Sequence, residues 1–419
     1  MKRRSFLQFL AADAALPLAG RLASAASPYQ VGIGNSTDPY QATQSAVASC
    51  GQWPVADIAG KTVMIKPNLV TAHVASTGVT TDPQVVRAIV DMALQAGATQ
   101  VIIAEGGVNT PANFAACGYS FFSTYDPRVQ LMDFNTQGIT LVRVPNGLSY
   151  TQLYLPTPAL QPNLFFISAG KMKCHVSVVA SLSMKNLFGL PAPSKYYVTG
   201  AQLARQGLHL RGVDETIVDI HLARPAHFSV IDGMWGMEGN GPLTGTPVPR
   251  NLVLAGLNTV AVDLTALQVM QISQPVAYLA YAASKGLGPS GMSGVAVLGD
   301  SYSPLPFTPA QTVPLLWRPT PSPNPISSSA GPQTTIYYRI PAACNVRAEV
   351  ILDSDINPGV RLVRLLQNWT FTQAGTWNIK WDGTTNAGAV VPPGLYLAHI
   401  MAANNYGVNH ATSWIVVNA

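Results

Sequence analysis

The sequence predicts an α/β domain with a mostly parallel sheet, followed by a small all-β sandwich. Three observations carry this. Short apolar runs alternate with amphipathic stretches from Tyr29 to about residue 300. Nine prolines and a Ser-rich run then fill 301–333. Beyond them, β-rich runs separated by turn signals occupy 334–419. A chain of 419 residues is also long for one core, so two domains are the prior.

The elements follow in order. Residues 61–66 (KTVMIK) read as a buried strand. Residues 83–96 (PQVVRAIVDMALQA) show helical spacing, with Asp82 at the N-cap and Pro83 at the first helical position. Gly97 ends that helix, and 100–105 (QVIIAE) is the next strand. A strand–helix–strand unit favours a parallel pair with a right-handed crossover. The runs at 164–168, 228–232 and 252–256 supply further strands, and a helix runs from Thr259 to about Met270. The α/β domain thus spans 29–300, and 301–333 reads as a semi-rigid linker. In 334–419 the runs TIYYRI, VRAEVIL, WNIKW, GLYLAHIMAA and SWIVV are divided by turns such as Asp382-Gly383 and Pro393-Gly394.

Composition and the N-terminus point to export. Charged residues are only 10% of the chain, against ~25% in ordinary globular proteins. Residues 1–25 have a basic start, a modest apolar stretch and a small-residue cleavage pattern at Ala23-Ser24-Ala25. Arg3-Arg4 followed by Ser-Phe-Leu resembles a twin-arginine signal, which implies a periplasmic or secreted location. Asp13, Pro17 and Arg21 interrupt the apolar stretch, so no transmembrane helix is expected after signal removal. Without the leader, 20 basic and 18 acidic side chains remain, with no basic stripe, which argues against nucleic acid as a partner. The four cysteines include no CxxC pair, which argues against an iron–sulfur or Cys-paired zinc site. Cys50–Cys117 is the candidate disulfide. No HExxH or similar spacing supports a three-His zinc site, and no motif names a cofactor.

Lysine is scarce, yet Lys171, Lys173, Lys185 and Lys195 fall within 25 residues. That clustering suggests an anion. Lys171, Lys173 and His175 leave the end of an expected strand, and ligands in open α/β sheets bind outside such ends. Lys66, Asn68 and Glu105 also follow strands. Thr80, Thr81 and Asp82 stand at a helix start, a ready anion site, although simple capping also explains Asp82. The segment after Asp232 reads as a Gly-rich loop carrying Glu238 and Asn240, neither GxGxxG nor a P-loop. His73 is a candidate to join the site. His221 and His227 share no helical face, and His399 and His410 are expected to be structural. Lys66, Lys173, His175, Lys185, Asp232 and Glu238 are expected to converge on one pocket at the carboxyl edge of the sheet.

The series IKPNLV, GVTTDP, KMKCH, MKNLFG, VIDGMWGMEGNGP and AVD, over about 60–270, resembles the domain of unknown function 362 family. The resemblance implies no particular reaction. By position it carries over Lys66, Asn68, Thr81, Asp82, Lys173, His175, Lys185, Asn186, Asp232, Glu238, Asn240 and Asp263. Many members add a ferredoxin-type cysteine region that this chain lacks, and members usually have Thr where Cys174 stands. The stretch around Trp381-Asp382-Gly383 and Pro393-Gly394-Leu395-Tyr396 resembles the immunoglobulin-like domain of the flagellar hook-capping protein, across most of 334–419. That implies a spacer or docking module without catalysis.

The expected function is an enzyme acting on an anionic small molecule. His175, Lys173, Glu238 and Asp232 are its candidate catalytic groups. Lys66, Asn68, Thr81, Asp82, Lys171, Lys185, Asn186 and Asn240 are its candidate binding groups. The alternatives are an exported ligand-binding protein without turnover, and a cell-surface assembly or adhesion component.

Overall fold

A computed structural model describes residues 29–196, 205–313, 315–328, 333–352 and 361–419. The expected leader, residues 1–25 with Arg3-Arg4 and the expected cleavage pattern, lies outside the described residues. The chain opens with β1 (Tyr29–Asn35), α1 (Pro39–Ser49), α2 (Val55–Ile58), β2 (Thr62–Pro67), α3 (Pro83–Gln95), β3 (Gln100–Glu105), α4 (Thr110–Ala116) and β4 (Val129–Asp133). A hairpin, β5 (Ile139–Arg143) and β6 (Gln152–Pro156), precedes β7 (Leu164–His175) and β8 (Val179–Ser181). Then come α5 (Ser183–Asn186), α6 (Pro193–Tyr196), α7 (Gln206–His209), α8 (Val213–Ala223), β9 (Phe228–Glu238), β10 (Thr246–Gly256), α9 (Thr259–Met270), α10 (Ala277–Ser284) and β11 (Val295–Gly299).

The large sheet runs β11-β1-β10-β9-β7-β2-β3-β4, with β8 paired to β7. It is largely parallel: β9, β7, β2, β3 and β4 all run one way, and β11 pairs parallel to β1. β10 is antiparallel to both of its neighbours. Successive strand residues point to opposite faces, and both faces are buried. Val63 and Ile65 join one core with Val101, Ile103 and helix α3, while Met64 joins the other with Ile102, Phe166 and helices α8 and α9. Hence the near-continuous apolar runs in the sequence. Helix α3 begins as its residues dictate, with Asp82 accepting the Gln84 N–H and Pro83 in the first turn.

Two expectations need correction. Residues 233–238 are not a loop: β9 continues through Gly233 and Gly236 to Glu238, paired with β10 across a register shift between Pro249 and Leu252, and the turn is confined to 239–245. The glycine at 236 serves packing, since a Cβ there would come within 2.6 Å of the Phe307 ring. The Cys50–Cys117 disulfide is absent. All four cysteines are free and buried; Cys50 donates to the Val47 carbonyl, and Cys117 to that of Thr71.

The C-terminal part holds β12 (Thr320–Ser322), β13 (Ile326–Ser327), β14 (Thr334–Ile340), β15 (Cys344–Leu352), β16 (Arg361–Thr372), β17 (Gly375–Trp381), β18 (Gly394–Asn404) and β19 (Gly407–Asn418). They form a three-stranded sheet, β12-β14-β17, and a five-stranded sheet, β13-β19-β18-β15-β16, antiparallel except for β13 with β19. Trp381, Ile336, Val346 and Ile400 meet in one core. The segment joining the two parts is anchored at both ends. Phe307 and Ala310 enter the α/β core, whereas Leu316 enters the C-terminal one. Thr412 of β19 hydrogen-bonds Ser149 and the Arg211 carbonyl, and Arg318 donates to the Leu148 carbonyl. Among the described residues, no helix is long and apolar enough to cross a membrane.

Candidate functional site

A cavity of about 360 Å³ opens at the carboxyl rim of β2, β3 and β7. Lys66 stands one residue before the end of β2, Glu105 ends β3, and Lys173 and His175 lie in the last three residues of β7; all four line it. Lys171, Lys173 and His175 alternate along β7 and would share one face of a regular strand. They divide because the pairing of β7 with β9 shifts register between Lys171 and Lys173. Lys171 stays beneath the cavity, fully buried and 2.7 Å from Asp232.

The polar lining is built on one ion pair. Lys66, only 1% exposed, lies 2.8 Å from Glu105 and also donates to the Pro67 carbonyl and Asn186 Oδ1. Glu105 takes the Leu69 and Gly106 N–H groups as well. Lys173, 1% exposed, donates to Asn68 Oδ1 at 3.0 Å and to the Val79 carbonyl at 2.8 Å. Asn186 donates to the Lys66 carbonyl and to Ser168. Lys185 is half-buried, with its Nζ 4.0 Å from the centroid of the Phe188 ring. Asp263 accepts the Ser183 and Met184 N–H groups and so fixes the start of α5, which carries Lys185 and Asn186. Two glycines allow the close approach. A Cβ at Gly189 would lie 3.0 Å from both Lys66 Nζ and Glu105 Oε1, and one at Gly106 would lie 2.7 Å from Arg205.

Arg205 and His209 complete the wall, and the sequence reading missed both. Arg205 is held by the carbonyls of Pro191 and Gly189. His209 Nδ1 lies 3.1 Å from the Arg205 carbonyl, which makes it the protonated nitrogen. Their i,i+4 spacing in RQGLH was the available signal. His175 Nδ1 accepts the Ser177 N–H, so its proton sits on Nε2. Val70, Val108, Val176, Phe188 and Leu243 form apolar walls. The hairpin carrying Ser177 and Ser181 holds Val179 at φ 67°, a strained setting for a β-branched residue.

Enclosure sets the protonation states. Burial, with Lys171 and Lys185 nearby, pushes the Lys173 amine down to about 7. Burial, with Lys66 and Arg205 adding to it, brings Lys185 to about 7 against the pull of Asp214. Burial and the Lys185 charge bring His209 to about 4. His175 falls well below the ordinary histidine value by burial and the charges of Lys185 and Lys173. Both imidazoles are therefore neutral at neutral pH, His209 with a free Nε2 as acceptor and His175 with its Nε2–H as donor, near Lys173 and Lys185 held close to their titration points.

The cavity thus gathers Lys66, Asn68, Lys173, His175, Lys185 and Asn186. The other candidates lie elsewhere. Asp232 is fully buried and accepts from Lys171, from the Asp82 N–H and from the Met234 N–H. Asp82 caps α3. Thr81 bridges the Asn68 N–H and the Ala169 carbonyl, which positions Asn68 from behind. Glu238 accepts the Thr308 N–H, and Asn240 pairs with Gln311, so both fasten the connecting segment to the α/β part. His73 is not in the lining. Lys195 lies over the Tyr154 ring. Among the described residues, no group of three or more His, Cys, Asp or Glu side chains is placed to hold a metal ion.

Residues 63–268 match the family model described as "Domain of unknown function (DUF362)". Over 235 residues the chain is 28% identical to the "Thylakoid-associated protein sll1697" of Synechocystis sp. (strain ATCC 27184 / PCC 6803 / Kazusa), covering 55% of this chain and 68% of that protein. Among solved structures, dimeric latent PorU from Porphyromonas gingivalis is 20% identical at a TM-score of 0.21, over 27% of this chain and 10% of that one. FLGD from P. aeruginosa is 17% identical at a TM-score of 0.18, over 22% of this chain and 64% of that one. The chain spans less than two thirds of either.

Proposed function

We propose that the protein is an enzyme acting on a small anionic molecule with an apolar body, and that neutral imidazole moves a proton. One observation carries this: Lys66, Lys173, Lys185 and Arg205 line a cavity whose lining, among the described residues, contains a single carboxylate, Glu105. Such an excess of enclosed positive charge is costly unless amines deprotonate or an anion enters. Entry of an anion recharges Lys173 and Lys185 and releases part of that cost. The His175 Nε2–H serves as the proton donor, with the unprotonated Nε2 of His209 as acceptor; Asn68 and Asn186 orient polar groups. The valine, leucine and phenylalanine walls favour an apolar tail over a bare inorganic ion.

The test is proton exchange into deuterated solvent, followed by NMR across a panel of carboxylates and phosphate esters. The expected result is catalysed exchange for some of them, abolished in His175→Ala while binding survives. Binding without exchange or turnover in the intact protein would make it a ligand-binding protein instead.

We propose export by the twin-arginine route for the same protein. The Arg3-Arg4 leader supports it, and the name of the Synechocystis relative agrees with a membrane-associated setting. We further propose that the C-terminal strands are an immunoglobulin-like docking module; the two sheets that share the Trp381 core support that reading.

A further inference from the structure

Four lysines lie in or directly beneath the site, and three have their amines engaged. Lys66 is bonded to Glu105, Asn186 and a carbonyl; Lys171 is paired with Asp232; Lys173 is bonded to Asn68 and a carbonyl. Lys185 differs. Among the described residues it has no hydrogen-bond or ion-pair partner, and its amine lies over the Phe188 ring at the cavity wall. α5, fixed by Asp263, holds it there. A free amine beside other cations, with two neutral imidazoles in the same wall, is an arrangement for attack on a carbonyl carbon.

We propose that Lys185 forms an imine with a substrate that carries both an anionic group and an aldehyde or ketone. This rests on the function proposed above and names the substrate class of that site. The Lys185 nitrogen bonds to the carbonyl carbon as the C=O π bond opens. The His175 Nε2–H gives its proton to the oxygen as the new ammonium returns one to that nitrogen, giving a carbinolamine. The C–O bond then breaks and the oxygen leaves as water, having taken one further proton from solvent. Overall, amine, carbonyl compound and one proton give a protonated imine and water. Lys173 and Arg205 hold the anionic group. No oxidant, reductant or metal is required. The depressed affinity of Lys185 for its proton, to about 7, makes the free amine available at neutral pH. An ordinary surface lysine is neutral there in only about one molecule in a thousand or fewer.

The experiment treats the full chain with phenylpyruvate or glyceraldehyde 3-phosphate and sodium cyanoborohydride at neutral pH, then maps the reduced adduct by peptide mass spectrometry. The expected result is one adduct, on Lys185, with at least one of the two carbonyl probes. The adduct should disappear in Lys185→Arg, persist in Lys61→Arg, and form faster as pH rises through about 7. Lys185→Met is the second variant if Lys185→Arg does not fold, with circular dichroism as the check. Phenyllactate and 3-phosphoglycerate, which lack the carbonyl, report binding separately through thermal shift. Binding of these without a Lys185 adduct overturns the imine and leaves the anion site standing. An adduct on Lys173, or one spread over surface lysines, also overturns it. Absence of both binding and adduct overturns the imine and the proposed function together.

Discussion

The Lys171–Asp232 pair makes a quantitative demand on the fold. Both side chains are fully buried, 2.7 Å apart, and Asp232 also takes two backbone N–H groups. Lys171→Met leaves a buried carboxylate with only those two donors. Asp232→Asn leaves a buried ammonium without its counter-charge. Removing one partner of such a pair costs about 3–5 kcal/mol, a large part of a domain's ~5–15 kcal/mol. The double variant Lys171→Met with Asp232→Asn buries no charge and keeps an acceptor oxygen, so it should cost only about 1–2 kcal/mol. Urea unfolding followed by far-ultraviolet circular dichroism measures each corner of the cycle, with m held constant as the check on two-state behaviour. The signature is a double variant more stable than either single one. If the single costs simply add, or each falls below about 1 kcal/mol, the pair is not the closed ion pair described here. Because neither residue lines the cavity, the double variant should also keep the proposed anion binding.

Lys173 is held at about 7 against an ordinary 10.5, so the unfolded chain binds more protons through that window. Stability should therefore rise as pH climbs from about 7 to 10.5, and Lys173→Met should flatten the rise by up to about 1.4 kcal/mol per pH unit in denaturation series. Asp263, pushed up to about 8 chiefly by burial, works the other way. Its contribution declines as pH rises from the ordinary carboxylate range toward 8, and Asp263→Asn should remove that decline. Val179→Gly should raise the thermal midpoint by relieving a positive φ worth roughly 1–3 kcal/mol; a lower midpoint would mean that the valine packs more than it strains. In limited proteolysis with a broad-specificity protease, the exposed stretch Ser303–Pro306 should be cut first, and the two fragments should co-elute because Phe307 and the Thr412 bonds still hold them. Immediate separation would contradict that anchoring.

Much of the α/β part was legible because its local signals agree with one another. The Asp82–Pro83 start, Gly97 and the flanking apolar runs place α3, β2 and β3 within a residue or two. Strand ends in a parallel sheet share a rim, so Lys66, Lys173 and His175 were expected together and do line one cavity. What escaped was whatever depends on register or on distant packing. Lys171 and Lys173 are equivalent in the sequence pattern, and only the shift against β9 sends one to Asp232 and the other to the cavity. Gly233 and Gly236 read as a loop because glycine is a turn signal, whereas Phe307, some seventy positions on, explains the need for a small residue at 236. Glu238 and Asn240 fasten the segment near Thr308 and Gln311, a pairing without local periodicity.

The seam around Thr412 bears on how such a chain can be recombined. In sequence, the proline-rich stretch makes the last strands look like an interchangeable cassette. Their β19 nevertheless addresses specific groups on the other part: Thr412 to Ser149 and Arg211, Asn409 to the Ser177 carbonyl, and Trp414 to the Gly147 carbonyl. Ser177 is itself in the cavity wall. A chimera that borrows a foreign C-terminal module would therefore lose a brace on the site, unless the donor brings matching side chains at these three β19 positions. The two parts have to be inherited as a fitted pair.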